Sequence, residues 1–245
     1  MRYLIGIDDT DNLESRGTGF HARKLGEILQ TNRVYVRGIS RHQLLVDPRI
    51  PYTSHNSSAC LDVAAPENVF DEMLTECRHF LQTMSAPGSD AGLCLAAWSA
   101  VSNRVQEFGE SAKRVVLTTQ DAHDLALRTG IALEGLTGTG GGVIGALAAV
   151  GLRARGNDGR VLWAKGVREL NGVRTAIELY ETSGIEEIQT VEGTSVPAQA
   201  RIALSEWVRP LLRHGKAVLL VEEVKENDDY EWRVVAKEIV KHHSN

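Results

Sequence analysis

The sequence has only three cysteines and no CxxC pair, which argues against a disulfide framework and against a zinc site. No apolar run approaches the roughly 18 residues that span a bilayer, and the N-terminus lacks the pattern of a signal peptide. A formal net charge of -5 gives no basic footprint for nonspecific binding of nucleic acid. We therefore expect a cytoplasmic protein without a membrane segment, in which Cys60, Cys77 and Cys94 are small core residues.

The chain can bury a real core, because it has 245 residues of which 42% are hydrophobic. Strand-like and helix-like patterns alternate along it, which predicts a mixed α/β (α+β) fold. The pattern of predicted elements changes near residue 166, so we predict a larger α/β domain over 1–165 and a smaller α+β domain over 166–245. A ferredoxin-like arrangement is one option for the smaller domain, and a β-hairpin around KENDD is predicted to end it.

Three segments receive specific predictions. The stretch RVVLTT (114–119) and the stretch RTAIELYE (174–181) both have the composition of strands. A helix is predicted to open at Pro197, to bend at Pro210 and to end at Gly215.

Three carboxylates follow the apolar strand YLIGI, at Asp8, Asp9 and Asp11. Two carboxylates about 5 Å apart repel by roughly 3 kcal/mol at an effective dielectric near 20. Mg²⁺ prefers hard oxygen ligands and binds one or two carboxylates together with substrate phosphates. We therefore predict that these residues hold Mg²⁺, with Asp9 and Asp11 converging; the alternative is that Asp9, Asp11 and Asn12 are turn residues.

The order of Asp9 and Asp11 behind a strand also matches a phosphatase that uses an aspartate nucleophile. In haloacid-dehalogenase phosphatases a second aspartate lies two positions after the first, as here. That pattern continues with Thr or Val, where this sequence has Leu13. A phosphatase with Asp9 as its nucleophile is therefore kept as an alternative.

A glycine cluster, GLTGTGGGVIGALAAVG, precedes an apolar helix. Glycines let the backbone approach a ligand, and the free N–H groups at a helix start favour phosphate. We predict phosphate contacts from five consecutive residues, Gly138, Thr139, Gly140, Gly141 and Gly142, and helix packing from Gly145 onward. A flexible turn is the alternative, and a Walker A loop is excluded because no GK[ST] follows.

Two further polar segments leave their roles open. In DPRIPYTSHNSSACLDV, Asn56 is a candidate either to orient a ligand or to cap a turn. Between residues 153 and 174 six basic residues accumulate, which fits either a solvated hairpin or an anion-facing strip. They are Arg153, Arg155, Arg160, Lys165, Arg168 and Arg174.

Together, GIDDTD, DPRIPYTSHNSSA and GGGVIGALAAVG resemble the agmatinylcytidine synthetases that modify an isoleucine tRNA anticodon. The resemblance implies a kinase-like domain that uses ATP, with Mg²⁺ at Asp8, Asp9 and Asp11 and the triphosphate at Gly138 to Gly142. The family carries a reactive threonine after GIDDTD, where this sequence offers Thr18, with His21 as a second candidate at the transfer step. The full synthetases also have an OB-fold and a zinc ribbon, for which we identify no counterpart here.

These features favour a Mg²⁺- and ATP-dependent phosphotransferase or ligase-like enzyme acting on a small molecule, with Asp8, Asp9, Thr18 and His21 as its catalytic candidates. The expected partners are a nucleotide and a small-molecule acceptor, while tRNA binding and self-association are left open. A non-catalytic nucleotide-binding module is the remaining alternative.

Overall fold

The computed structural model of the protein describes residues 1–51, 53, 55–225 and 229–244. The chain divides into two compact units, residues 1–155 and residues 156–245. Unit 1 contains five strands and five α-helices among its described residues. They are β1 (Arg2–Asp8), α1 (Thr18–Leu29), β2 (Tyr35–Gln43), β3 (Ser57–Ala64), α2 (Phe70–Met84), β4 (Gly92–Ala97), α3 (Asn103–Ala112), α4 (Thr119–Thr129), β5 (Ala132–Gly135) and α5 (Val143–Arg155).

The strands of unit 1 form an antiparallel sheet in the order β5-β4-β1-β3-β2. The strand β1 lies at the centre of this sheet. Leu4, Ile5 and Ile7 are all fully buried, as expected for a strand covered on both faces. Helices α1 and α2 pack on β2, β3 and β4, and α5 packs on β1, β3 and β4. Cys60, Cys77 and Cys94 are free and buried, which confirms their prediction as core residues.

Helix α5 is apolar around most of its circumference, which is typical of a helix that is buried on all sides. It approaches β1 very closely, since a side chain at Gly6 would overlap the backbone carbonyl of Ala146. Its first turn consequently lies directly over the end of β1. This placement brings the predicted glycine loop and the predicted acidic cluster together.

A buried ion cluster ties β1, β3 and α5 together near the start of β1. The carboxylate of Asp62 is fully buried and pairs with Arg2 at 2.8 Å and with Arg153 at 2.6 Å. The guanidinium of Arg2 also stacks on the ring of Trp98, with its Cζ 3.5 Å from the ring centroid.

Unit 2 contains β6 (Arg160–Trp163), β7 (Val173–Thr175), α6 (Ala176–Thr182), β8 (Glu187–Gln189), β9 (Arg201–Ala203), β10 (Leu211–Arg213), β11 (Lys216–Glu223), β12 (Trp232–Val234) and α7 (Lys237–His242). Its strands follow the order β6-β10-β11-β12-β9-β7, with β8 parallel to β11. One core cluster includes Leu179, Ile188, Ile202 and Leu219, and a second includes Leu220. The mixed α/β class predicted from the sequence is confirmed.

The described elements of unit 2 differ from the sequence predictions in several places. The predicted strand at 174–181 is wrong from residue 176 onward, because only Arg174 and Thr175 belong to β7 and α6 begins at Ala176. Its capping box is complete: the Glu178 N–H donates to Thr175 Oγ1 and the Thr175 N–H donates to a Glu178 carboxylate oxygen. The element order also differs from the β-α-β-β-α-β order of a ferredoxin-like unit.

The predicted helix from Pro197 is wrong as well. That segment contributes β9, which pairs with β7 and β12, and β10, which pairs with β6 and β11. Its backbone donors therefore serve the sheet. The hairpin prediction matches the antiparallel pair β11 and β12, although residues 226–228 of its turn lie outside the described residues and α7 follows it.

The division between the units lies after Arg155, upstream of the boundary that the sequence placed at residue 165. The reason is that β6 pairs with β10, so the stretch RVLW belongs to the sheet of unit 2. Among the helices of the described chain, none combines the length and the apolar character that crossing a membrane requires.

Candidate functional site

A cavity of about 210 Å³ in unit 1 opens where β1 ends. We call it the β1 cavity. Its polar half includes Asp8, Asp9, Asp11, Thr18, Arg49, Thr53, His55, Asn56, Ser57, Asp90, Thr139, Gly141, Gly142 and Gly145. Its apolar half includes Leu44, Ile50, Pro51, Ala112, Val115, Val116, Leu117 and Ile144. All of these residues come from segments far apart in sequence that the sheet of unit 1 brings together.

A left-handed turn at Asp9 determines how the three aspartates are presented. The φ angle of Asp9 is +50°, a conformation uncommon for a residue other than glycine. In an extended strand the side chains of Asp8 and Asp9 would point in opposite directions. The turn instead lets Asp8, Asp9 and Asp11 all line the β1 cavity. Such local strain, of the order of 1–3 kcal/mol, is concentrated at functional sites.

The carboxyl of Asp8 packs against the first turn of α5. A side chain at Gly145 would overlap Asp8 Oδ2, so any larger residue at this position would have to displace the Asp8 carboxyl. Burial, reinforced by the charge of Asp9, raises the pKa of Asp8 to about 8. The group is therefore held protonated near neutral pH until a cation approaches it. The sequence assigned Gly145 to packing alone, but it also lines the cavity.

Asp90 is a member of the site that the sequence analysis missed. Burial raises the pKa of Asp9 to about 6, and the charge of Asp90 is the next largest cause. The position of Asp90 follows from the register of the sheet, because Gly92 at the start of β4 pairs with Asp8 at the end of β1. Only the antiparallel pairing of β1 with β4 brings Asp90 to the site, and a single sequence does not show which strands pair.

Asp90 also anchors the glycine loop. The backbone N–H and the hydroxyl of Thr139 both donate to its carboxylate, the hydroxyl at 2.9 Å. The Gly142 N–H donates to the Asp90 carbonyl at 2.9 Å. Of the five residues predicted to contact phosphate, Thr139, Gly141 and Gly142 line the β1 cavity, whereas Gly138 and Gly140 are absent from its lining.

Asp11 is occupied by hydrogen bonds from two threonines. Thr18 donates to Asp11 Oδ1 through its N–H at 3.1 Å and through its hydroxyl at 2.9 Å. The Thr53 hydroxyl donates to Asp11 Oδ2 at 2.7 Å. The first bond satisfies an orphan N–H at the start of α1, as a capping residue does. The alternative interpretation of Asp11 as a turn and cap residue therefore describes its contacts.

The two catalytic candidates on α1 have different surroundings. Thr18 lines the β1 cavity, but His21 is absent from its lining and is almost fully buried. His21 Nδ1 lies 2.8 Å from the Thr10 hydroxyl, which in turn lies 3.2 Å from the Thr18 hydroxyl. Burial lowers the pKa of His21, so the ring is neutral at pH 7. His21 thus reaches the cavity through the side chains of Thr10 and Thr18.

The loop before β3 supplies one wall of the cavity. The Asn56 side chain lines it while donating to the Leu45 carbonyl at 2.6 Å, so it both faces the cavity and ties together the two ends of the β2–β3 connection. Arg49 lines the cavity too, with its guanidinium paired to Asp47 at 2.8 Å. Tyr52 and Ser54 of the same segment lie outside the described residues.

The apolar half of the cavity comes partly from a segment that was predicted wrongly. Residues 114–118 form no strand, because they connect α3 to α4. Thr118 caps α4 through a capping box with Asp121, which ends the irregular segment. Val115 and Val116 are consequently left 51% and 37% exposed at the cavity. Such exposed apolar side chains beside a polar pocket are typical of a ligand site.

Among the described residues, no group of three or more His, Cys, Asp or Glu side chains is arranged for immediate metal binding. The donor chemistry nevertheless suits a hard cation, because Asp8, Asp9 and Asp90 bring carboxylate oxygens to one cavity. The raised pKa values of Asp8 and Asp9 show that the protein alone does not balance their charge. The Mg²⁺ site thus stays a prediction.

We compared the chain with family models and with curated proteins. No family model matches the chain. An uncharacterised protein of Methanocaldococcus jannaschii is 26% identical over 155 residues, which cover 62% of this chain and 50% of that protein. The chain thus spans about half the length of this curated relative.

Solved structures of similar fold belong to tRNA-modifying enzymes. The complex of TiaS with its isoleucine tRNA and ATP superposes with a TM-score of 0.55 and 26% identity, over 62% of this chain and 36% of that chain. A tRNA fluorescent labeling enzyme gives the same TM-score and coverage at 27% identity. Apo TiaS, a tRNA agmatidine synthetase, gives a TM-score of 0.53 at 24% identity, over 62% of this chain and 35% of that chain. The chain therefore has a partial TiaS-like fold, which confirms the resemblance predicted from its motifs.

Proposed function

We propose that unit 1 is a Mg²⁺- and ATP-dependent phosphotransferase or ligase-like domain acting on a small-molecule acceptor. The observation that carries this proposal is that Asp8 and Asp9 line the same cavity as Thr139, Gly141 and Gly142. Proteins of similar fold have been crystallised as TiaS complexes with ATP, and with AMPCPP together with agmatine. The apolar half of the cavity offers a surface on which a nucleobase can pack.

The proposed site brings several negatively charged groups close to a negatively charged triphosphate. A triphosphate would be repelled by the carboxylates of Asp8, Asp9 and Asp90 unless a cation lies between them. Mg²⁺ bound by Asp8 and Asp9 would neutralise phosphate charge and polarise the transferring group. The backbone N–H of Gly141 would support a phosphate ahead of α5, while the N–H of Gly142 donates to the Asp90 carbonyl.

In this proposal Asp11 acts on the Thr18 hydroxyl and is not a ligand of the metal. A hydroxyl that donates to a carboxylate has the geometry of a nucleophile or proton relay with its base, and here the two atoms are 2.9 Å apart. Thr18 is thus the candidate for the transfer step. His21 would act through Thr10 as a positioning residue that keeps the Thr18 hydroxyl directed toward Asp11.

Calorimetric titration with ATP, with and without Mg²⁺, tests the proposal. We expect Mg²⁺-dependent binding that weakens about ten- to a hundred-fold in Asp8→Asn and in Asp9→Asn, the loss expected for a charged contact. Asp71→Asn, at an exposed position on α2, is the matched control and should bind normally. Absence of ATP binding, or equal affinities in all three variants, would contradict the proposal.

Turnover separates the alternatives. Consumption of ATP that requires an added acceptor, with agmatine and other small amines as the first panel, would support transfer. Hydrolysis of phosphate monoesters without ATP would instead favour a phosphatase with Asp9 as nucleophile. Binding of ATP with no change at its γ-phosphate would favour the non-catalytic module.

A further inference from the structure

Unit 2 carries a cluster of positive charge around one tryptophan. The Trp207 ring has Arg160 Cζ at 5.8 Å from its centroid, Arg209 Cζ at 5.6 Å and Lys237 Nζ at 5.5 Å. Arg160 opens β6, Arg209 precedes β10 and Lys237 opens α7, so the fold brings these side chains together from distant segments. We call these four residues the Trp207 cluster.

Three like charges around one ring repel each other, and the ring is uncharged, so it attracts the cations without neutralising them. Within the part of the chain that the structure describes, neither Arg160 nor Lys237 forms an ion pair with a carboxylate. Arg160 and Lys237 therefore present positive charge that an external anion would balance.

The cluster is accessible from solvent. Lys237 is exposed, and Trp207, Arg160 and Arg209 are partly buried. Partial burial strengthens the attraction of these cations for an anion, because the interaction is less screened by water. It also lowers the pKa of the Arg160 guanidinium, an effect that a bound anion would reverse.

The Trp207 cluster is more localised than the basic strip suggested by the sequence. Two members of that strip already have acidic partners in unit 1, since Arg153 pairs with Asp62 and Arg155 pairs with Glu110. Arg160 is the member of the strip that joins the cluster. An anion site here therefore depends on tertiary contacts with Trp207 and Lys237, which the linear pattern of basic residues does not show.

We propose that the Trp207 cluster is a phosphate-binding site in unit 2, separate from the β1 cavity, for a ligand that carries several phosphate groups. The guanidinium of Arg160 and the ammonium of Lys237 lie against one ring and match the charge of neighbouring phosphates, and a guanidinium binds phosphate oxygens in pairs. The phosphates belong either to the backbone of a single-stranded oligonucleotide or to free polyphosphate. A tryptophan among cations is typical of surfaces that bind single strands.

Fluorescence anisotropy on the full chain tests this proposal. The probes are labelled single-stranded RNA and DNA of about 12 nucleotides, with unlabelled tripolyphosphate as competitor. We expect Arg160→Gln and Lys237→Gln each to weaken binding about five-fold or more, and to reduce the slope of log affinity against log salt by about 0.7 for each lost phosphate contact. Trp207→Phe, which keeps an aromatic ring, should have a smaller effect.

Lys216→Gln is the matched control, because it makes the same charge change in unit 2 at a lysine already paired with Glu187. Calorimetric titration with tripolyphosphate is the second arm of the test: binding that Lys237→Gln weakens, in the absence of oligonucleotide binding, would support the site with free polyphosphate as its ligand. Thermal unfolding of each variant shows whether it is folded, and Lys237→Gln at an exposed position is expected to be. The proposal is overturned if neither the oligonucleotides nor tripolyphosphate bind at about 100 mM salt, or if Lys237→Gln and Lys216→Gln bind equally well.

Discussion

Asp62 and Asp8 belong to neighbouring strands of one sheet, and their surroundings are opposite. Asp62 is fully buried between Arg2 and Arg153, with ion pairs of 2.8 and 2.6 Å. Asp8 has no ion pair among the described residues, and its neighbour Asp9 adds charge of the same sign. A buried carboxylate that is paired with cations, such as Asp62, has a structural role. A buried carboxylate without such partners, such as Asp8, is a candidate ligand-binding group.

The register of the sheet separates these two environments. Asp62 pairs with Leu4 near the start of β1, while Asp8 ends that strand and faces α5. Helix α5 contributes to both, through Arg153 in its last turn and Gly145 in its first. One end of this helix therefore stabilises the fold, and the other forms the β1 cavity.

Removing the paired carboxylate should have the largest effect on stability. Asp62→Ala leaves the charge of Arg153 buried without its partner, and we expect the free energy of unfolding to fall by about 3–5 kcal/mol. Urea unfolding measures this loss. Adding Arg153→Met should recover much of it, and Glu72→Gln, which breaks the exposed pair with Arg33, should change little. Wild-type stability in Asp62→Ala would show that the cluster is not structural.

A buried histidine should make the fold sensitive to acid. Burial, and then the nearby charge of Arg153, lowers the pKa of His42 to about 3 from its ordinary value of 6.5. Between these pH values the unfolded chain binds a proton that the folded chain excludes, so stability rises with pH and is lost as pH falls below about 6.5. We expect this residue to cost about 3 kcal/mol between pH 7 and pH 4.

Urea unfolding across that pH range measures the effect of His42. The curve of His42→Gln should be flatter on its acid side than that of the wild type. His79→Gln, at an exposed histidine of α2, should keep the wild-type curve. Equal acid slopes in the wild type and His42→Gln would refute the assignment.

Replacing the unpaired carboxylate should stabilise the fold while weakening ligand binding. Because the folded-state pKa of Asp8 is raised from 3.8 to about 8, the folded chain binds more protons than the unfolded chain between these values. This contribution to stability is present below about pH 4 and is lost as pH rises toward 8. Asp8→Asn removes that loss, and we expect a gain of up to about 4 kcal/mol at pH 7.

The measurement for Asp8→Asn combines urea unfolding at pH 5 and pH 8 with the ATP titration described above. Added Mg²⁺ should narrow the stability difference between the wild type and this variant, since a bound cation balances the ionised carboxyl. A variant that is less stable than the wild type at pH 8 would mean that Asp8, like Asp62, has a structural role.

Local signals in the sequence identified much of unit 1. The apolar run of β1 is buried, the glycine cluster precedes α5, and Asp8, Asp9, Thr139, Gly141 and Gly142 all line one cavity. Other local signals were present but were missed. The Thr175–Glu178 capping box starts a helix in a stretch whose composition favoured a strand, because the satisfied N-terminal N–H groups outweighed weak strand propensity.

The roles of several residues depended on distant contacts. Asp11 appeared equivalent to Asp9 in the sequence, yet its oxygens accept hydrogen bonds from Thr18 and from Thr53, 42 positions away. Asp90 appeared to be an ordinary loop residue, yet it lies near Asp9 and anchors Thr139. Such assignments require knowledge of which strands pair and in what register.

The sequence by itself determined the chemistry at the end of β1, because three carboxylates, a glycine loop and an apolar helix are properties of short segments. Only the tertiary structure decided which charges are neutralised within the protein, through Arg2 and Arg153 at Asp62, and which are not, at Asp8. The physical reason is that the energy of a charge depends on its burial and on its neighbours in space, and those neighbours come from elsewhere in the chain.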